Sequence, residues 1–213
     1  MTARTQPTRD QFLADMEAAG PWDALIALNN PIYPKTRKKG GRPPCPLATM
    51  LRIHLLQQWY SRGDPAMEEA LIEVPTMGRF LGIDLISDRI PDETTIFSFR
   101  HLLEKHRLGE QIFVTVKAHL SNRGMTIRQG TIVDATLIAA PSSTKNKAGK
   151  RDLEMHQTKK GNQWYFGMKV HIGVDKDSGL IHSVVTRAAN VHGLTPVAEL
   201  LHGNEEVVYG DSG

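Results

Sequence analysis

Apolar positions along the 213-residue chain follow two different spacings, and the change falls near Gly124. From Pro46, the residues Leu47, Met50, Leu51, Leu55 and Trp59 recur at helical steps, with the proline suited to a first turn. Asp64 as N-cap and Pro65 behind it predict a second helix through Val74, stopped by Pro75. A short helical piece follows over Thr76–Leu81. Pro91-Asp92 then opens a helix carrying Ile96, Phe99, Leu102 and Leu103, and a last one covers about Gly109–Asn122 before Gly124. The first 45 residues lack this periodicity. Pro7, Pro21, Pro31, Pro34, Pro43 and Pro44 punctuate them, so they read as an arm with one short helix over residues 9–19 and a basic linker.

Beyond Gly124 the period shortens. Thr131–Ala140 is apolar at both alternations, as expected of a strand covered on both faces. Gly161–Asp175 contains a second strand, Asp175–Gly179 (DKDSG) a hairpin turn, and Leu180–Arg187 a third strand. A short helix near Thr195–Leu201 and a fourth strand from Val207 to Tyr209 complete the pattern, which runs strand, strand, strand, helix, strand. The fold class is α+β, divided into an arm and linker (1–45), a helical unit (46–124) and a strand-rich unit (125–213). Within the helical unit, the pieces from Asp64 to His106 have the rhythm of a helix-turn-helix DNA reader, with Thr94, Thr95, Ser98 and Arg100 near the start of the candidate recognition helix. Any small helical bundle has the same rhythm, so both readings stay open.

Composition narrows the chemistry. With 40% hydrophobic residues and no apolar run of the roughly 18 residues that a membrane span needs, the chain reads as a cytoplasmic globular protein. One cysteine, Cys45, excludes a disulfide framework and a thiolate zinc cluster, leaving oxygen or imidazole ligands for any metal. The net charge of +3 says little, but its distribution says more. Residues 35–42 hold Lys35, Arg37, Lys38, Lys39 and Arg42 with no acid. Residues 144–169 hold Lys145, Lys147, Lys150, Arg151, Lys159, Lys160 and Lys169 against Asp152 and Glu154. Each run alone is a solvated loop; two runs flanking one candidate site suit a polyanion, since neutralising phosphates releases counterions.

Two aspartates stand out. Asp134 lies within the most apolar strand, where a bare carboxylate costs several kcal/mol unless a cation or donors meet it. Asp211 follows a short apolar strand, at the carboxyl end where open α/β sheets place their sites. If that strand lies beside the first, the two acids converge, and oxygen ligands suit Mg²⁺ or Mn²⁺. Asp175 and Asp177 are read instead as turn residues, and His156, His171 and His192 as surface or phosphate-facing residues without zinc-site spacing. Trp164, Tyr165 and Phe166 beside Lys159 and Lys160 either stack on bases or, with Trp164 and Phe166 inward, fill the core of their strand. Phosphate-binding, dinucleotide-binding and nucleophile-elbow motifs do not occur.

Six segments in this order, PLATMLRIHLLQQWY, DPAMEEALIEV, IPDETTIFSFRHLLE, GTIVDATLIAAPSSTKNK, RDLEMHQTKKGNQWYFGMKVHIGVD and SGLIHSVVTRAANVH, resemble the bacterial insertion-sequence transposases of the IS-five group, within the DDE transposases. The resemblance covers nearly the whole chain from about Pro34. It implies a helical DNA-binding domain followed by an RNase H-like catalytic domain, with Asp134 and Asp211 as the first two catalytic carboxylates and ligands of Mg²⁺ or Mn²⁺. It also implies that the basic loop Lys145–Lys160, with Lys145, Lys147, Lys150, Arg151, Lys159 and Lys160, lies along the DNA backbone; the other expected DNA contacts are Arg37, Lys38, Lys39 and Arg42 of the first basic run and Thr95 and Arg100 of the candidate recognition helix. The partners implied are double-stranded DNA, as the element's terminal inverted repeats and its target, and further copies of the chain, in the bacterial nucleoid. The reaction implied is cleavage at the element's end by a metal-activated water, then attack of the freed 3′ hydroxyl on target DNA. A third acid, a glutamate on a later helix, lies past Asp211 in the family, so the chain is expected to be a truncated portion, inactive alone. Two alternatives stand beside this: a non-catalytic DNA-binding fragment that inhibits the full-length transposase, and a nuclease or phosphohydrolase on the same fold.

Overall fold

The computed structural model describes residues 9–35, 43–83, 88–125, 130–140 and 150–210. Two compact units divide the chain, Met1–His119 and Leu120–Gly213.

The first unit is helical: α1 (Arg9–Ala19), α2 (Trp22–Asn29), α3 (Leu47–Tyr60), α4 (Asp64–Glu73), α5 (Pro75–Leu81), α6 (Glu93–Lys105) and most of α7 (Leu108–Asn122). α3 is its axis. Thr49, Met50, Leu51, Ile53, Leu56 and Gln57 are all buried because α2, α4, α5 and α6 pack around it. The arm expected over residues 1–45 has one more helix than the sequence suggested. α2 forms between Pro21 and Pro31, and Leu13 of α1 and Leu25 of α2 enter the same core as Leu56, Met67 and Leu103. The prolines bound that helix rather than preventing it. Arg52 of α3 joins α1 and α2 to this core: it pairs with Glu17 at 2.6 Å and lies 4.3 Å from the centre of the Trp22 ring.

α4 and α6 begin in different ways. Asp92 caps α6, its Oδ1 accepting the Thr95 amide at 2.8 Å, as the Pro-Asp pair implies. Gly63, not Asp64, is the N-cap of α4. The Asp64 carboxylate instead accepts Gln57 Nε2 and Arg100 Nη2, each at 2.9 Å, and locks α3, α4 and α6 together. The Arg100 hydrogen bond outweighs burial and holds the Asp64 carboxyl below its ordinary range. α5 ends at Leu81 with Gly82 (φ 68°) as its C-cap, and the next helix among the described residues, α6, begins at Glu93, whereas a helix-turn-helix turn takes roughly three to four residues.

The second unit is a mixed sheet. β1 (Gly130–Ala139) runs antiparallel to β3 (Gln163–Asp175), in register from Thr131 opposite Asp175 to Ala139 opposite Gly167. Along its other edge β3 pairs first with β2 (His156–Lys160) and then with β4 (Ile181–Ala188), both antiparallel. β5 (Val207–Gly210) lies parallel to β1, with Gly130 opposite Val207 and Val133 opposite Gly210. The short helix α8 (Val197–Leu200) precedes it.

β2 was not expected. Its sequence HQTKK has no apolar alternation, so the segment read as a basic loop, yet Gly161-Asn162 folds it back as a hairpin with Gly161 at φ 61°. Gly167 makes the next step possible. A Cβ there would sit 2.0 Å from the Ile138 carbonyl oxygen, so only glycine lets β3 pass from β2 to β1.

One face of β1 is covered. Thr131 and Val133 are buried with His171 and Asp175 of β3, next to Leu200 of α8. The opposite face is open among the described residues: Ile132, Ile138 and Val184 keep 39%, 54% and 47% of their surface exposed. The expectation of a strand covered on both faces therefore holds on one side only, and there at Thr131 and Val133, since Ala135 and Ala139 on that side are exposed.

The approach to β5 is held by a carboxylate. Glu205, with 5% of its side chain exposed, accepts the amides of His202 and Gly203 at 2.6 and 2.7 Å. Its Oε1 also accepts the Thr131 hydroxyl at 3.2 Å, and that hydroxyl meets His182 Nε2 at 3.1 Å. Burial pushes the carboxyl up, but the backbone donors outweigh it and hold Glu205 below its ordinary value of 4.5. A depressed folded-state value means stability that is present above the ordinary range and lost as pH falls through the folded value. Glu205→Gln is expected to speed amide exchange at Val207–Gly210 by about tenfold at pH 7, and this difference from the unsubstituted chain should shrink as pH falls below the ordinary glutamate range. Hydrogen exchange across pH measures it. In the helical unit, Asp64→Ala is expected to cost about 1–3 kcal/mol, and Arg100→Ala less because its guanidinium is partly solvated. Urea unfolding followed by the fluorescence of Trp22 and Trp59 reads both.

Candidate active site

β1 is rich in β-branched residues around a single carboxylate, GTIVDATLIA. Alternation places Asp134 with Ile132, Thr136 and Ile138 on the open face, opposite Ile172 of β3. The carboxylate is exposed, and its Oδ1 accepts the Ala135 amide at 2.7 Å. The desolvation expected of Asp134 is thus absent: an apolar sequence around a residue does not bury it when nothing covers that face.

β5 lies beside β1 at this point, with Gly210 opposite Val133, the residue before Asp134. Asp211 lies outside the described residues, as do Lys145, Lys147, Arg37, Lys38, Lys39 and Arg42. The exposed carboxylate of Asp134 suits a hard divalent cation in kind. Among the described residues, however, no group of three or more His, Cys, Asp or Glu side chains is arranged to hold a metal ion.

The other basic candidates fall in separate places. Lys159 and Lys160 end β2, opposite Trp164 and Gln163 at the hairpin tip. Lys150 and Arg151 precede β2, with the Arg151 guanidinium 5.3 Å from the Phe166 ring centre. Thr95 is half-buried in the first turn of α6. Arg100 is engaged inside the helical unit, 2.9 Å from Asp64 and 3.0 Å from Glu104. The start of α6 borders a cleft of about 650 Å³ walled by Tyr33, Pro44, Met50, Thr94 and Ser98.

Asp175 is the turn residue its sequence suggested, accepting the Ser178 amide and hydroxyl at 2.7 and 2.6 Å. His156 and His192 are exposed, but His171 is fully buried, which corrects its reading as a surface residue. Its place on the covered face of β3 decides that. Burial, with Lys169 and Arg187 nearby, lowers its pKa and keeps the ring neutral. Sequence reasoning missed the Thr131, His182 and Glu205 cluster, whose members come from three segments with no common spacing.

Two family models match the chain. One, described as a transposase domain (DUF772), covers residues 2–102, and the other, a transposase DDE domain, covers residues 126–213. No solved structure matches significantly. No helix among the described residues is long and apolar enough to cross a membrane. With one transposase domain over the helical unit and a DDE domain over the strand that carries Asp134, the chain belongs to the DDE transposases, a family of DNA-cleaving enzymes.

Proposed function

We propose that this chain is an insertion-sequence transposase of the IS-five group, binding the element's terminal inverted repeats and acting on their phosphodiester bonds by cleavage and strand transfer. The observation that carries this is the parallel pairing of β5 with β1 in the register Val133 to Gly210. Asp211 is bonded to Gly210, so continuing the register by one residue would set it against Asp134. Within the five-stranded sheet, β4, β3 and β1 are successive antiparallel neighbours and β5 lies parallel to β1, an order that supports an RNase H-like fold.

Asp134 and Asp211 are the proposed pair of oxygen ligands for Mg²⁺ or Mn²⁺. When bound, the metal would supply a lowered water pKa and stabilisation of charge on the phosphorane. Asp134 contributes an exposed carboxylate whose orientation is set by the Ala135 amide, on a face open enough for a DNA backbone. Lys150, Arg151, Lys159 and Lys160, with Lys145, Lys147, Arg37, Lys38, Lys39 and Arg42, are proposed to neutralise phosphates. In the helical unit, Thr94, Thr95 and Ser98 are the DNA-facing groups of α6, while Arg100 positions that helix by pairing with Asp64. The protein is proposed to act as an oligomer at the nucleoid.

Mn²⁺ titration of the 213-residue chain, followed by electron paramagnetic resonance, tests the pair. Asp134→Asn and Asp211→Asn are each expected to weaken Mn²⁺ binding by tenfold or more, whereas Asp175→Asn and Asp177→Asn leave it unchanged. Unaltered Mn²⁺ affinity in both of the first two variants would remove the assignment. Gel-shift titration with duplexes carrying the terminal repeats tests the substrate. Preference over scrambled duplex is expected, and a Lys159→Ala/Lys160→Ala variant should reduce the slope of log affinity against log salt by about 2. Repeat-specific binding without metal-dependent nicking favours the inhibitory fragment, and nicking indifferent to sequence favours a nuclease.

A further inference from the structure

The tip of the β2–β3 hairpin carries an aromatic group that the fold does not use. Trp164 keeps 65% of its surface exposed, although its neighbours on the ribbon, Lys159, Lys160, Asn162 and Gln163, are polar. It therefore does not fill the core of its strand. Lys159 stands opposite it across the ladder. Two residues along, on the same side by alternation, Phe166 lies under the Arg151 guanidinium. Tyr165 belongs to the other side, its hydroxyl donating to Gln163 Oε1 at 3.0 Å. One side of the ribbon thus alternates cation and ring: Lys159 with Trp164, and Arg151 with Phe166.

This pairing has a definite chemistry. An exposed indole offers a flat face for stacking, and the cations beside it suit a phosphate backbone. Acidic groups are absent from the stretch Gln157 to Gln163, which disfavours a basic partner. A paired base in mid-duplex has both π-faces covered by its neighbours, so the indole suits a base that has left the stack.

We infer that Trp164, flanked by Lys159, is a stacking platform for an unpaired base of the DNA on which the enzyme acts. The inference rests on the transposase reading above. The reach is suitable, because β3 joins the two places directly. Ile172, opposite Asp134, belongs to the same alternation as Trp164, and the eight steps from one to the other span roughly 26 Å at about 3.3 Å each. One DNA end can therefore touch both.

The test compares a blunt duplex bearing the terminal repeat with the same duplex opened by a five-nucleotide single-stranded overhang, each titrated with the 213-residue chain by fluorescence anisotropy. The unsubstituted chain is expected to favour the overhang. Trp164→Ala should weaken overhang binding by about tenfold and blunt binding by less than twofold, with the salt slope unchanged because no phosphate contact is lost. Trp164→Phe should restore most of the difference, and circular dichroism melting should match for all three proteins, since the indole is mainly in water. Equal losses on both DNAs, or none on either, would overturn the platform. If repeat-specific binding persists in that case, the transposase reading stands without it. Conversely, a Trp164-dependent overhang preference with no preference for the repeats supports the platform and removes the proposed binding of terminal repeats. Failure to bind either DNA overturns both.

Discussion

A carboxylate on the middle of one strand does little until a second strand arrives beside it, and in this protein that arrival depends on Glu205. A parallel strand cannot be delivered by a tight turn; it needs a crossover, here the segment through α8 and Leu201–Glu206. A four-residue helix and a short loop hold little apolar surface, so polar contacts must place the following strand. Glu205 gathers the amides of His202 and Gly203 onto one carboxylate and joins them to the Thr131 hydroxyl, which is buried on β1 itself. The loop before β5 and the start of β1 thereby share one set of hydrogen bonds, and the register Gly130 to Val207 follows. Charge-assisted bonds to a nearly solvent-free carboxylate are among the stronger polar contacts available for this task.

The face that carries Asp134 gains a second property from its surroundings. Ile132, Ile138, Val207 and Tyr209 are exposed there, so the carboxylate stands in water but among apolar neighbours. A charged ligand laid over such a surface displaces water from hydrocarbon rather than from polar groups that would hold it. The interactions of the carboxylate then strengthen as the local dielectric falls. An open site and a strong electrostatic site are compatible when the substrate supplies the cover.

Parts of this arrangement are legible in the sequence because they are local. Helical spacing from Leu47 to Trp59 identifies α3, Pro91-Asp92 marks the start of α6, and DKDSG defines the turn in which Asp175 accepts Ser178. Other parts turn on facts that spacing does not contain. The residues of β1 are apolar at both alternations, yet coverage depends on what else packs there, and so Asp134 is exposed rather than desolvated. β2 has no hydrophobic signature because it is an edge strand of a ribbon in water; its one local signal was Gly161-Asn162, a hairpin turn pair. Thr131, His182 and Glu205 meet only after β1, β4 and β5 have assembled.

Arg100 shows how a basic side chain can be engaged within the fold. From its place near the start of a candidate reading helix, a guanidinium suggests phosphate. Yet Asp64, first in its own helix and released from capping by Gly63, faces it at 2.9 Å while also accepting Gln57. A bond that ties three helices together cannot be given up to DNA without loosening the unit that presents α6. The side chains at the start of the same helix are held locally: the Thr94 hydroxyl donates to Asp92 Oδ1 at 2.8 Å and the Ser98 hydroxyl to the Thr94 carbonyl at 2.7 Å, and both residues are exposed. The Arg100 guanidinium therefore serves the frame of the helical unit, while small polar side chains occupy the exposed start of α6.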